Sequence, residues 1–266
     1  MLQLDTSLAA RFAIAAVSPQ QQVPLEWNPI DVSFTANGDH AYVTLLDGAK
    51  VFEIAMATGA VTDSAMFGRR HHRILVAPDD SRYWVISMRG TIWAVDRASG
   101  VVLDSATLGN RILRGLAHHA NSDRLAVIGD GDVLLLNAST LDSVQTRTLG
   151  GYLSQDVAFS SDGTRLFVAQ EDQFRVMALD ATTLATRDSV VFRDDSFLPF
   201  GMRLSPSGDR LVISSFLTGR VAVVDPGTLR VRTMVRTGGG PRRIAFTPSG
   251  DRVFVTNEGG WVDVIK

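Results

Sequence analysis

One phrase returns six times along this chain: an apolar residue, a turn, then an apolar strand. It reads Phe34-Thr-Ala-Asn-Gly-Asp-His-Ala-Tyr-Val43 and Val76-Ala-Pro-Asp-Asp-Ser-Arg-Tyr-Trp-Val85. It returns as His118-His-Ala-Asn-Ser-Asp-Arg-Leu-Ala-Val127 and Phe159-Ser-Ser-Asp-Gly-Thr-Arg-Leu-Phe-Val168. The last two copies are Leu204-Ser-Pro-Ser-Gly-Asp-Arg-Leu-Val-Ile213 and Phe246-Thr-Pro-Ser-Gly-Asp-Arg-Val-Phe-Val255. The closing positions 43, 85, 127, 168, 213 and 255 are 42, 42, 41, 45 and 42 residues apart. A period near 40 residues with strand-like units is that of a β-propeller, one repeat per blade. The expected fold is therefore all-β: six four-stranded antiparallel blades around a central channel.

The fifth repeat shows how a blade is built. Phe200-Gly-Met-Arg-Leu204 reads as the innermost strand, and Ser205-Pro-Ser-Gly-Asp209 as a tight turn. Arg210–Ser214 and Arg220–Val224 are the second and third strands, and Leu229–Met234 is the outer one. Blades 1 to 5 span approximately 29–68, 72–109, 113–150, 155–193 and 198–236, all within one domain of 1–266. The sixth repeat, 241–266, ends after its third strand. Arg11-Phe-Ala-Ile-Ala-Ala-Val17 is expected to supply the missing outer strand, so that residues 1–17 and 241–266 share a blade and close the ring. Met1–Leu4 looks like a second copy of the third strand. Either it is a spare extension or the native protein has further sequence, and seven blades is the alternative count.

Composition narrows function by exclusion. The formal net charge is -2, so no overall field draws the chain to nucleic acid or an anionic membrane. The absence of cysteine removes disulfides, thiolate metal sites and a cysteine nucleophile. The apolar runs are too short for a transmembrane helix. The N-terminus Met1-Leu-Gln-Leu-Asp5 lacks the basic start of a signal peptide.

The segment Pro241-Arg-Arg-Ile-Ala-Phe-Thr-Pro-Ser-Gly-Asp-Arg-Val-Phe-Val-Thr-Asn257 resembles the YVTN-type repeat, a WD40-like propeller unit with a Ser-Pro-x-Gly turn before Tyr-Val-Thr-Asn. Pro29 and Pro199 stand at the position of Pro241, and Val224–Leu229 also fits. The resemblance implies the fold. It leaves function open among surface-layer and periplasmic proteins, lactonase-like enzymes and quinoprotein amine dehydrogenase subunits. It also implies a periplasmic or secreted location.

Chemistry-bearing motifs are missing: no nucleophile elbow, zinc helix or phosphate loop occurs. Asp96, Asp180 and Asp225, with Asn137 once, recur before the last turn of a blade, where such residues bond their own backbone two residues on. Asp39, Asp123, Asp209 and Asp251 receive the same reading in the first turn. His71 and His72 fall at the start of an innermost strand, whereas His118 and His119 fall at the end of the next one, where Phe34 and Leu204 stand. Roughly 13 Å separates those levels, too far for one metal. No metal or cofactor is expected.

Stacking equivalent positions is more informative. The pairs opening the innermost strands are Ile30-Asp31, His72-Arg73, Arg114-Gly115, Gln155-Asp156, Phe200-Gly201 and Arg242-Arg243. The loops between second and third strands open on the same face, with Leu46, Met88, Asp130, Glu171, Phe216 and Glu258 as third residues. Blades 3, 4 and 6 thus bring mixed charge, and blades 5, 1 and 2 bring Phe197, Leu198, Leu217, Trp27 and Leu45 as apolar loop residues. Apolar loops either fold over the blade ends or form an exposed binding patch. The candidate binding set is Trp27, Asp31, Leu46, His72, Arg73, Met88, Arg114, Asp156, Glu171, Phe197, Phe200, Phe216, Arg242, Arg243 and Glu258.

Three functions fit. The first is a non-catalytic scaffold holding a protein or small ligand at this loop face. The second is a lactonase-like hydrolase using Asp156, Glu171 and His72, with Arg114 or Arg243 holding an anionic substrate. The third is a subunit of an electron-transfer complex whose cofactor sits on another chain.

Overall fold

In the computed structural model the described residues are 9–13, 25, 28–192 and 196–266. Among them lie six four-stranded antiparallel sheets, and the fold is a six-bladed β-propeller. Contacts divide the chain into two compact units: Pro19–Thr148 carries blades 1 to 3, and Met1–Ser18 with Leu149–Lys266 carries blades 4 to 6.

The second strands of blades 1 to 5 are buried almost throughout because both of their faces are covered, whereas that of blade 6, Val253–Asn257, alternates. Leu125, Ala126, Val127 and Ile128 in the second strand of blade 3 are all fully buried. The outer strand of the same blade, Ser143–Thr148, is polar and mostly exposed. In blade 5 the innermost strand is only Met202–Leu204, shorter than expected. Its second and outer strands are Leu211–Ser215 and Val231–Arg236, each displaced C-terminally from the expected span. The N-terminal strand Ala9–Ala13 pairs antiparallel with Trp261–Ile265 and completes blade 6. It starts two residues before the expected Arg11; residues 14–17 and Met1–Leu4 lie outside the described residues.

The turn aspartates behave in two ways. Asp180 Oδ1 accepts from the backbone N–H groups of Thr182 (2.9 Å) and Thr183 (2.8 Å). Asp225 Oδ1 takes Gly227 and Thr228, and Asn137 Oδ1 takes Ser139 and Thr140, in the same manner. In the first turn the expectation fails for all four aspartates: Asp39 Oδ2 accepts from Asn37 Nδ2 and Asp123 Oδ1 from Ser139 Oγ. Asp209 and Asp251 accept from hydroxyls, Ser205 and Ser207 in one case and Thr247 and Ser249 in the other. There the turn's backbone is held by Ser205, whose Oγ accepts from the N–H of Arg210 at 3.0 Å.

The turn before each outer strand needs a left-handed residue. Blades 1 and 2 place Gly59 and Gly100 there, with φ of 66° and 67°. Blades 3, 4 and 5 place Leu141, Leu184 and Leu229, with φ of 55°, 57° and 51°. Each leucine N–H closes the turn on the carbonyl four residues back. A left-handed leucine costs roughly 1–2 kcal/mol, which burial of the side chain offsets: Leu184 is fully buried, and Leu141 and Leu229 nearly so.

The innermost strands bind one blade to the next. Each of blades 1 to 4 has a register break at the start of this strand, between Pro29 and Asp31, His71 and Arg73, Leu113 and Gly115, and Ser154 and Asp156. A bulge re-aims the side chain that follows it. Asp31 Oδ2 accepts from the N–H of Ile74 in blade 2 at 3.0 Å, and Asp156 Oδ2 accepts from Met202 in blade 5 at 3.0 Å. Arg73 fills the same position in blade 2 and donates from Nε to the carbonyl of Arg114 at 3.0 Å. Blade 5 has Gly201, and Ser214 Oγ takes over by donating to the Arg242 carbonyl at 2.7 Å.

Leu184→Gly relieves about 1 kcal/mol of backbone strain and forfeits about 3 kcal/mol of buried leucine. The net loss of on the order of 2 kcal/mol is read as a lower urea midpoint. Hydrogen bonds from Ser160 to Asp162 and Ser207 to Asp209, and from Arg232 to Asp225, hold these carboxyls down at about 2, against an ordinary 3.8. A lowered folded-state value gives stability that is complete above the ordinary value and lost as pH falls through the folded one. The triple variant Asp162→Asn, Asp209→Asn, Asp225→Asn therefore flattens the acid limb of stability between pH 3.8 and about 2, measured by urea titration at each pH. An unchanged slope there contradicts this assignment.

Candidate functional site

The bulge sorts the paired residues into two roles. The second member of each pair faces its neighbouring blade, as Asp31, Arg73 and Asp156 show. The first member stays at the loop end. In the unit holding blades 4 to 6 these first members are Gln155, Phe200 and Arg242.

Arg242 is the centre of this end. Its guanidinium lies 4.1 Å from the ring centroid of Phe216 and 4.8 Å from that of Phe200. The two rings are 6.0 Å apart and tilted by 43°. Glu258 holds the far side of the guanidinium through Nε and Nη2, both at 2.5 Å from Oε1. Phe216 keeps its place because Gly240 lies beneath it; a Cβ there would fall 2.6 Å from the ring. The loop is further tied by Ser215 Oγ, which accepts from the N–H of Leu198 at 3.0 Å. Beside this cluster Leu217 is 64% exposed.

Arg243 goes the other way. Its guanidinium stands 5.5 Å from the Phe200 ring, and Nη1 is 3.7 Å from Asp156 Oδ2. These two residues hold equivalent positions in blades 6 and 4, and they meet past blade 5 where Gly201 has no side chain. A Cβ on Gly201 would lie 2.0 Å from the Arg242 carbonyl oxygen.

This arrangement displays one planar cation on an aromatic floor, next to an exposed leucine. A guanidinium over a ring is worth roughly 0.5–1 kcal/mol at an exposed site, and an exposed ion pair about the same or less. Arg242 is thus positioned more than it is neutralised. Its partner Glu258 is itself exposed, so an incoming carboxylate can exchange for it.

The structure brings together six of the expected residues here: Asp156, Phe200, Phe216, Arg242, Arg243 and Glu258. Glu171 is held nearby in blade 4, where it accepts from Gln155 Nε2. In the other unit Asp31, Arg73 and Arg114 form a chain, with Arg73 Nη1 at 3.6 Å from Asp31 Oδ1. His72, Leu46 and Met88 are half-buried at that unit's loop end. Trp27 lies outside the described residues. Phe197 is a correction: it is fully buried, stacks on Phe192 at 4.8 Å and packs into the core with Met202 and Met234, so it folds down over the blade. Leu45 is likewise fully buried. Arg73 and Asp156 are also buried, with their polar atoms committed to backbone groups of neighbouring blades. Asp156 Oδ1 accepts from Val157 as well, at 3.1 Å.

Sequence reasoning missed Gly201 and Ser214, which together replace the carboxylate used elsewhere. Their signal was faint: the column holds charge at four of its six positions and glycine at the other two, Gly115 and Gly201. Among the described residues no group of three or more histidine or acidic side chains could hold a metal ion, and no helix is long and apolar enough to cross a membrane.

No family profile matches the chain, and no curated protein matches it. The chain is similar to the β-propeller domain of Myceliophteria thermophila Cps50 (Swd1). The likeness has a TM-score of 0.76 at 12% identity, over 89% of this chain and 82% of that one. In all, 1809 chains of solved structures match. So wide a set defines a fold that carries many functions and selects none of them.

Gly201→Ala forces the blade 5 backbone away from Arg242 and breaks the contact that Ser214 makes. The expected loss is about 3 kcal/mol, the upper range for overpacking a tight site. Chemical denaturation checks it, and a variant as stable as wild type contradicts the packing described.

Proposed function

We propose that this chain is a non-catalytic scaffold that binds a protein partner through the loop end of blades 5 and 6. The observation that carries the reading is Arg242 held flat on Phe200 and Phe216 beside exposed Leu217. Arginine and aromatic side chains held in place are the residues that dominate binding energy at protein interfaces. The partner segment that suits them carries a carboxylate next to an apolar side chain. The carboxylate replaces Glu258 on Arg242, and the apolar group covers Leu217 and the rings.

Two further points support this reading. WD40 propellers, which this fold resembles, generally serve as protein-binding scaffolds. The Ser205-Pro-Ser-Gly208 turn of the fifth repeat and the Thr247-Pro-Ser-Gly250 turn and Val253-Phe-Val-Thr-Asn257 strand of the sixth support a YVTN-type class for the repeats.

The test is copurification from the native source with wild type, Phe216→Ala and Arg242→Glu. Both variants keep the wild-type circular dichroism, because both side chains are half-buried at the loop end and outside the apolar core clusters of the blades. Both lose the recovered partner, by at least tenfold for Arg242→Glu, where the charge is reversed. Equal recovery of the same partners by all three proteins overturns the assignment of this site.

A further inference from the structure

Blades 2 and 3 leave a cleft of about 350 Å³ at their turn end, opposite to their loop end. Its walls include Trp84, His118, Arg82, Asp79, Asp123 and Ser139. Three observations set it apart from the ordinary junction of two blades.

His118 stands where every other repeat has an apolar residue: Phe34, Val76, Phe159, Leu204 and Phe246. Its ring packs on Trp84 with centroids 4.6 Å apart and planes at 44°. Its Nδ1 is buried and has no hydrogen-bond partner among the described residues. Burial lowers its proton affinity more than the nearby Asp123 raises it, so the imidazole is neutral at pH 7.

The second observation is a slack clamp. In blades 4 and 5 an arginine at or just before the second strand reaches the turns of the next blade. Arg165 Nη1 donates to the carbonyls of Pro226 and Gly227 at 3.1 and 2.7 Å, and Arg210 Nη2 to Gly250 at 2.7 Å. At the cleft the equivalent Arg82 Nη1 reaches only the carbonyl of Ser139, at 3.4 Å.

The third is charge. Asp79 and Asp123 bring two negative charges and Arg82 one positive, so with His118 neutral the lining is net negative by one charge. Asp79 Oδ1 is occupied by the N–H and Oγ of Ser81, and Asp123 Oδ1 by Ser139 Oγ. The second oxygen of each carboxylate accepts no hydrogen bond from the described residues. Ala77 and Ala138, both nearly fully buried, provide the apolar part of the wall.

We propose that this cleft binds a lysine or arginine side chain of a partner protein, with its aliphatic stem along Ala77 and Ala138 and its cationic head at Asp79 and Asp123. A basic side chain suits such a site because its stem buries readily while its head keeps polar company. The volume is near the lower end of ligand pockets, about 300 Å³, which suits one side chain better than a larger ligand. An anion would face two carboxylates to reach Arg82.

The test titrates the protein with N-acetyl-lysine methylamide, N-acetyl-arginine methylamide and N-acetyl-glutamate methylamide, following the His118 ring and the Trp84 indole N–H by NMR. Saturable shifts with the two basic probes and none with the glutamate probe are expected. Asp123→Asn weakens the basic probes at least tenfold; asparagine tolerates the left-handed conformation that Asp123 adopts, at φ 45°. His118→Phe restores the repeat residue, fills the cleft and abolishes the Trp84 shift. Phe216→Ala leaves these titrations unchanged, which separates this site from the loop end of blades 5 and 6. The proposal fails if neither basic probe gives a saturable shift, if the glutamate probe binds as well, or if Asp123→Asn binds like wild type.

Discussion

The sideways hydrogen bond from one innermost strand to the backbone of the next is the contact on which the rest of the structure depends. Each blade is a complete antiparallel sheet, and within each unit neighbouring blades meet through apolar faces. Hydrophobic contact is strong but non-directional, so two such faces can slide past one another at small cost. A hydrogen bond from Asp31 to Ile74, or from Asp156 to Met202, has one geometry and fixes that slide. The task is met by a carboxylate accepting in two places, a guanidinium donating in a third and a serine hydroxyl in a fourth. The position after the bulge supplies three of these groups and Ser214, on the second strand of blade 5, the fourth; what is repeated is the direction, toward the backbone of the next innermost strand.

That division of labour shapes the loop end of blades 5 and 6. In blades 1, 2 and 4 the second residue of the pair is committed to holding blades together, and the first is left to face outward. Gly201 yields its role to Ser214, and the space it leaves lets Arg243 reach Asp156. Phe200 can then lie under two arginines at once, one structural and one presented.

Most of the blade plan was legible in the sequence because it is local. A Ser-Pro-Ser-Gly turn, an Asp ahead of a Thr-Leu pair and a run of β-branched residues each act within a few residues of themselves. The N-terminal strand was legible too, since blade 6 stops one strand short. The site was legible as a set of columns and not as a set of roles. Asp31, Arg73 and Asp156 look like mouth residues in an alignment, and only the bulge, a backbone event without a sequence mark of its own, turns them sideways. Phe197 reads as a loop residue by its neighbours, yet the fold lays that loop over the blade 5 core. His118 was visible as the polar exception in an apolar column; its meaning depends on Trp84 and Arg82 in another blade, which no spacing along the chain reveals.

The left-handed turn leucines have a consequence for how the molecule comes apart. To peel away the outer strand of blade 3, 4 or 5, water must first wet a leucine sunk among the strands. In blades 1 and 2 the same hinge is a glycine, and nothing is drawn out with it. Local opening should therefore be easier in the first two blades, and their outer edges, where Met66, Val101 and Leu103 already face solvent, are the ones a foreign strand could join first. One small choice of residue, made five times, grades the chain from a yielding N-terminal part to a more tightly fastened one.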